Sequence, residues 1–153
     1  MKLNEILVRE ACVVDMKART KKEALRELSE VLAGSVKGLD GAGLLDMLLE
    51  REKLGTTAMG DGIAIPHARI EALERLLASF GRSRQGVDFD SVDGKPTHLF
   101  FLLVAPGREG SAHLLTLARL SRMLSSPEFR SKLLDVESND DFFRVLEEEE
   151  SRQ

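Results

Sequence analysis

Apolar residues along this chain change rhythm several times, and each change predicts an element. Ala11-Cys12-Val13-Val14 is a short apolar run, β-branched toward its end, and predicts a strand. Thr20 and Glu23 then form a capping-box pattern, in which a hydroxyl and a carboxylate satisfy the free amides of a helix start. Ala24, Leu25, Leu28, Val31 and Leu32 follow at helical spacing, and Gly34 suits the C-terminal turn. A second helix is expected after Asp40, presenting Leu44, Leu45, Leu48 and Leu49 and stopping near Gly55. Three glycines within residues 55–62 mark a turn-rich loop, which feeds the short apolar run Ile63-Ala64-Ile65. Pro66 is expected to end that strand or confine it to an edge, because proline has no N–H for a ladder.

The second half continues the interleaving. Leu76 to Phe80 predicts a strand, and the unbroken apolar run from Leu99 to Ala105 predicts one covered on both faces, broken by Pro106-Gly107. From Ser111 the period returns to helical, with Leu114, Leu117, Ala118 and Leu120 among its apolar positions. Ser126-Pro127 reads as an N-cap followed by proline at the first helical position, with Phe129, Leu133 and Leu134 continuing the helix. A last amphipathic segment carries Phe142, Val145 and Leu146, and Glu147 to Glu150 is expected to be its solvated or frayed end. Helices and strands thus alternate through the chain, which predicts one α/β domain over residues 1–153, core about 3–147, with helices packed on a central sheet.

Composition changes this picture mainly by exclusion. With 153 residues the chain suits one domain, which at this size buries roughly 68–70% of its unfolded surface and needs no disulfide or metal to hold a core. Cys12 is the single cysteine, so no intramolecular disulfide or Cys-rich zinc site forms, and its apolar neighbours predict a small buried thiol. A net charge of −4 without Trp or Tyr argues against a nucleic-acid binder, which needs a basic face and stacking rings. No apolar stretch approaches the roughly 18 to 20 residues of a membrane span, and the N-terminus lacks a signal-peptide core. The expectation is a cytoplasmic protein with no direct membrane insertion.

The candidate chemistry lies in three histidines, since imidazole serves as nucleophile, proton carrier or ligand near neutral pH. His98 opens the long apolar strand and has a sufficient explanation as a residue at its end. His113 follows Ser111 near a helix start and could be a capping-turn residue. His67 differs in context: a rigid proline after an apolar strand fixes its backbone, and reaction sites of α/β sheets gather at the carboxyl ends of strands. The upstream glycines allow backbone amides to approach an anion, and Thr56 and Thr57 offer hydroxyl donors.

Gly55-Thr56-Thr57 followed by Gly62-Ile63-Ala64-Ile65-Pro66-His67-Ala68 closely resembles the active-site region of enzyme IIA domains of the fructose/mannitol type, a group that includes the nitrogen-regulatory IIA proteins. The resemblance extends to Glu50-Arg51, to Phe100–Pro106 and to His113-Leu114, and so covers nearly the whole chain in order and spacing. It implies the mannitol/fructose-type IIA fold, a central mixed β-sheet flanked by helices. It also implies a bacterial phosphocarrier in which His67 accepts a phosphoryl group on Nε2 from a phosphorylated HPr-type protein. By the same resemblance His113 is the second active-site histidine and Arg51 the active-site arginine, with Thr56, Thr57 and Gly62 in a phosphate-stabilising loop. Such roles suit phosphoryl transfer, which is mostly positioning and charge stabilisation. No metal or other cofactor is needed if these groups supply it. Without the resemblance, Arg51 reads as a cation near a helix C-terminus, favoured by roughly 0.3–1 kcal/mol.

Several readings stay open on the sequence. The phosphate recipient is a IIB domain or a regulatory target protein, and a chain without IIB or IIC segments favours the nitrogen-regulatory type over a stand-alone transport IIA. A protein-interaction module without phosphorylation is opposed by the joint presence of His67, His113 and Arg51. A metal hydrolase built on His67, His98 and His113 matches no local ligand motif. Met59, Ile63 and Ile65 are candidates for a carrier-docking surface, although Ile63 and Ile65 suit the core equally well.

Overall fold

Strand β5 (Thr97–Pro106) is the spine of the sheet, and its side chains go alternately to two separate cores. In the computed structural model, which describes residues 2–107 and 112–152, Leu99, Phe101, Leu103 and Ala105 face one core. Phe100, Leu102 and Val104 face the other. The uninterrupted apolar run is therefore a strand covered on both faces, as its composition predicts, because successive strand residues point to opposite sides.

On one edge of β5 lie β2 (Ile63–Ala64) and β3 (His67–Ile70), both parallel to it. Ile63 stands opposite Leu99 and His67 opposite Leu103, an identical stagger, so the two are lengths of one line interrupted at Ile65-Pro66. Pro66 interrupts the strand without ending it, since its carbonyl still accepts from Leu103 N at 3.0 Å. Strand β1 (Ala58–Gly60) folds back on β2 through Asp61-Gly62, with φ of 56° and 80°. That two-residue Asp-Gly loop is the mirror-image turn favoured in hairpins, so Gly62 is required by turn geometry. On the other edge β4 (Leu77–Val87) runs antiparallel to β5. It is about twice the length expected from Leu76 to Phe80, because it continues through polar residues, past a break in register after Arg82, to pair again at Val87.

The expected strand at Ala11–Val14 does not form. Residues Arg9–Ala11 make a 3-10 turn, and the segment meets β4 in isolated bridges at Leu7 and Val13, with a third from Thr20 to Asp88 just past its end. Cys12 is buried there as expected, and burial pushes its thiol up to about 11.

Helices α2 (Lys21–Ser35) and α3 (Gly41–Lys53) cover one face of the sheet. Thr20 Oγ1 accepts from Glu23 N, and Asp40 caps α3 by accepting from Ala42 N. Helices α1 (Leu3–Ile6), α4 (Ala112–Leu124), α5 (Pro127–Leu134) and α6 (Asn139–Ser151) cover the other. Ser126 caps α5 ahead of Pro127 as its sequence predicts; Ser111 lies outside the described residues. Among the described residues no helix is long and apolar enough to cross a membrane.

Two polar features tie distant parts of the chain together. Arg82, in the middle of β4, is 1% exposed and donates to three carbonyls: Val14, Leu134 and Val136, at 2.8, 2.5 and 2.7 Å. It ties the N-terminal segment and the end of α5 to the sheet. At the C-terminus, α6 runs on through Glu149 and Glu150, both buried rather than frayed. The Glu150 carboxylate accepts from Leu3 N and Asn4 N, the unsatisfied first amides of α1, and pairs with Arg119 of α4. A terminal acidic run is therefore partly a cap for the other end of the chain.

Candidate functional site

Three elements deliver charged and polar side chains to one cavity of about 490 Å³. The last turn of α3 brings Arg51, the start of β3 brings His67 and Arg69, and the first turn of α4 brings His113. Met47 and Leu54 of the α3 side form its apolar margin. The in-line arrangement of β2 and β3 is what places His67 here: the strand resumes after Pro66, and His67 is locked opposite Leu103.

His67 Nδ1 lies 2.9 Å from the carbonyl oxygen of Ile65. A carbonyl only accepts, so Nδ1 carries the hydrogen and the neutral ring keeps its lone pair on Nε2. This is the tautomer that an attack through Nε2 requires.

His113 is 8% exposed, and its Nε2 lies 3.3 Å from Arg69 Nη2. A guanidinium only donates, so Nε2 is the acceptor and the ring hydrogen sits on Nδ1. That nitrogen is buried and has no hydrogen-bond partner among the described residues. Burial, then the charges of Arg69 and His67, hold the His113 pKa below its ordinary 6.5, so the ring is neutral at pH 7. The cavity thus sets His67, whose Nδ1 is committed to the Ile65 carbonyl, and a neutral His113 beside two guanidinium groups and the Glu50 carboxylate.

Arg51 Nη1 donates to Gly55 O at 2.9 Å, which fixes the side chain across the turn that ends α3. Its place in the last turn also suits the helix dipole. Arg69 is the cavity residue that motif reading missed. Its signal was positional: two residues from His67 in one strand, it shares that residue's face.

The glycine and threonine positions are arranged differently from the expectation. Thr56 Oγ1 donates to Phe89 O at 2.6 Å and accepts from Ala58 N at 3.1 Å. Thr57 gives both its hydroxyl and its amide to the carboxylate of Glu52, the amide at 3.0 Å. The Gly62 carbonyl accepts from His98 N and Leu99 N, both at 2.9 Å. None of the three lines the cavity. Their regularity in the motif reflects the turn and hairpin that carry the site.

His98 is held by Ser83 O, 2.8 Å from its Nδ1, and does not meet His67 and His113. Among the described residues no three His, Cys, Asp or Glu side chains are grouped so as to hold a metal ion. Ile63 and Ile65 belong to the core, whereas Met59 is exposed.

The site can be set beside known proteins. A nitrogen regulatory protein of Bradyrhizobium diazoefficiens is 41% identical over 133 residues, 87% of this chain and 86% of that protein. A fructose-specific EIIA component of the phosphotransferase system from Haloferax volcanii is 43% identical over 131 residues, 84% of each chain. Among solved structures, the nitrogen regulatory protein IIA-Ntr of Neisseria meningitidis superposes with a TM-score of 0.86 at 35% identity, covering 93% of this chain and 97% of that one. The profile of one family, described as phosphoenolpyruvate-dependent sugar phosphotransferase system, EIIA 2, matches residues 5–149. The chain belongs to this EIIA 2 family of the phosphotransferase system.

Proposed function

We propose that His67 is the phosphoryl acceptor and that the protein is a phosphocarrier, charged by a phosphorylated HPr-type protein. The observation that carries the reading is the bond from His67 Nδ1 to Ile65 O, which leaves Nε2 as the nucleophile beside Arg51, Arg69 and His113. In the step, the Nε2–P bond forms as the bond from phosphorus to the donor's nitrogen breaks, and the donor leaves as a neutral imidazole. No proton moves: His67 keeps its Nδ1 hydrogen, the ring takes on positive charge, and the Ile65 carbonyl stabilises it through a charge-assisted bond. The phosphoryl oxygens receive the guanidinium donors of Arg51 and Arg69, and His113 steadies the Arg69 guanidinium through its Nε2. A loose, largely dissociative transfer asks for little more than this charge and alignment.

The margin of the cavity suits a protein donor. Met47 and Leu54 are exposed there, and Leu114 and Leu115 are exposed beside His113. Large apolar side chains left to solvent around a polar centre are the pattern of a docking surface.

The recipient is read as a regulatory partner, on the likeness to nitrogen regulatory proteins in sequence and in fold. A second reading, transfer to a fructose- or mannitol-type IIB domain, is favoured by the comparably high identity to a fructose-specific EIIA component. Both share the same first step. Incubation with enzyme I, an HPr-type carrier and labelled phosphoenolpyruvate is expected to leave one acid-labile, base-stable phosphate, absent in His67→Ala. Label persisting in that variant overturns the assignment. Discharge of the labelled protein by a purified IIB domain separates the two recipients.

A further inference from the structure

Glu52 follows Arg51 on α3 but turns away from the cavity, and its side chain is 5% exposed. It accepts from Thr57 N at 3.0 Å and from Thr57 Oγ1, and it pairs with Lys21 Nζ at 2.9 Å. Lys21 in turn lies 4.7 Å from the centre of the Phe89 ring, whose residue also receives the Thr56 hydroxyl. A buried carboxylate is costly unless its lone pairs are satisfied, so this set of donors holds the turn after α3 in one conformation.

From that turn two hydrogen bonds enter the site. Gly55 O accepts from Arg51 Nη1 at 2.9 Å. Thr57 O accepts from Ile65 N at 3.1 Å, and Ile65 O accepts from His67 Nδ1 at 2.9 Å. Ile65 is therefore held at its N–H by Thr57 and itself holds His67 at its C=O, with Pro66 restricting the backbone between them.

We infer that Glu52 and Thr57 are positioning residues for phosphoryl transfer: the carboxylate-anchored turn sets both the guanidinium of Arg51 and the Nδ1–H tautomer of His67. Thr57 thus acts through the Ile65 peptide, without touching the phosphoryl group. The inference rests on His67 being the acceptor for its kinetic consequence alone; the tautomer it assigns is a property of the resting protein. Reacting groups must be held to a fraction of an ångström, and a displacement of about 1 Å costs on the order of 100-fold in rate.

The test compares wild type with Thr57→Val, Glu52→Gln and the conservative Thr57→Ser, each checked for folding by circular dichroism. The first readout is the imidazole ¹⁵N pattern of His67 in unphosphorylated protein. The second is kcat and KM for phosphorylated HPr-type carrier. Thr57→Val is expected to keep the fold and the KM, to lower kcat about 10-fold, and to give a mixed His67 tautomer. Glu52→Gln is expected to do the same, and Thr57→Ser to restore both readouts. A folded Thr57→Val with the wild-type ¹⁵N pattern and kcat, or a loss seen only in KM, overturns the inference. If Glu52→Gln does not fold, the pair of Thr57 variants decides the matter by themselves. If wild type takes up no phosphate, the functional reading fails, and the ¹⁵N patterns still decide whether the turn sets the tautomer.

Discussion

Arg69 Nη2 on β3 and His113 Nε2 on α4 meet at 3.3 Å, a permanent cation against a ring nitrogen that can only accept from it while unprotonated. Protonating His113 loses that contact and places a second charge in a buried setting. The histidine is therefore expected to titrate below 6.5, its ordinary value. Arg69→Gln removes part of the cause and moves the titration up, as read by NMR of the ring. The direction also fixes a stability effect. As pH falls below 6.5 the unfolded chain binds a proton that the folded one refuses, so this residue's contribution is present above that pH and fades as acid reaches the folded pKa. His113→Asn is expected to flatten the acid side of the stability profile, measured by denaturant melts between pH 5 and 7. An unchanged profile removes this account of His113.

Arg51 and a lysine in its place carry the same charge but not the same reach. The guanidinium holds Gly55 O with one donor and, in the proposed function, offers others to phosphoryl oxygens, whereas an ammonium is a single point charge. Losing one charge-assisted bond costs about 1.5–3 kcal/mol, or roughly 10- to 100-fold in rate. Arg51→Lys is expected to slow transfer to His67 by that factor with the fold intact. Wild-type kinetics in this variant take Arg51 out of the transfer step.

Arg82 is expected to matter to stability and not to transfer. Arg82→Met fills much of its volume but leaves the carbonyls of Val14, Leu134 and Val136 without their donors. An unsatisfied buried group costs about 1–3 kcal/mol, so the loss is on the order of 3 kcal/mol or more, and Tm falls by roughly 6–12 °C. Differential scanning calorimetry measures this. A Tm within a degree or two of wild type refutes the bracing role.

Much of this molecule was legible before any tertiary contact was known. The helix starts at Thr20, Asp40 and Ser126 were readable because a cap is a local bargain, a side-chain oxygen meeting an amide two or three residues away. The β5 run was readable because burial on both faces leaves no polar position. His67, His113 and Arg51 were singled out by motif resemblance, and the fold brings them to one cavity.

What escaped had non-local causes. His67–Ile70 contains a histidine and an arginine and shows no apolar alternation; it is a strand because β5 pairs with it. Ala11–Val14 has strand composition but bridges β4 at Val13 alone. Arg82 reads as a surface charge until three distant carbonyls are seen converging on it, and Glu150 reads as a tail until Leu3 and Asn4 arrive to be capped.

The sequence by itself determined which groups were available: a histidine behind a proline, the helix caps and an apolar spine, all encoded within a few neighbouring residues. Tertiary structure decided what each group does. Only the register of β2 and β3 on β5 sets His67 opposite Leu103 and makes Arg69 its companion. Only the packed turn after α3 takes Thr57 from the cavity and commits it to Glu52. The physical reason is that a side chain's hydrogen-bond partner, and with it a tautomer or a charge state, is chosen by whatever the fold brings within about 3 Å, and sequence spacing carries no such distance.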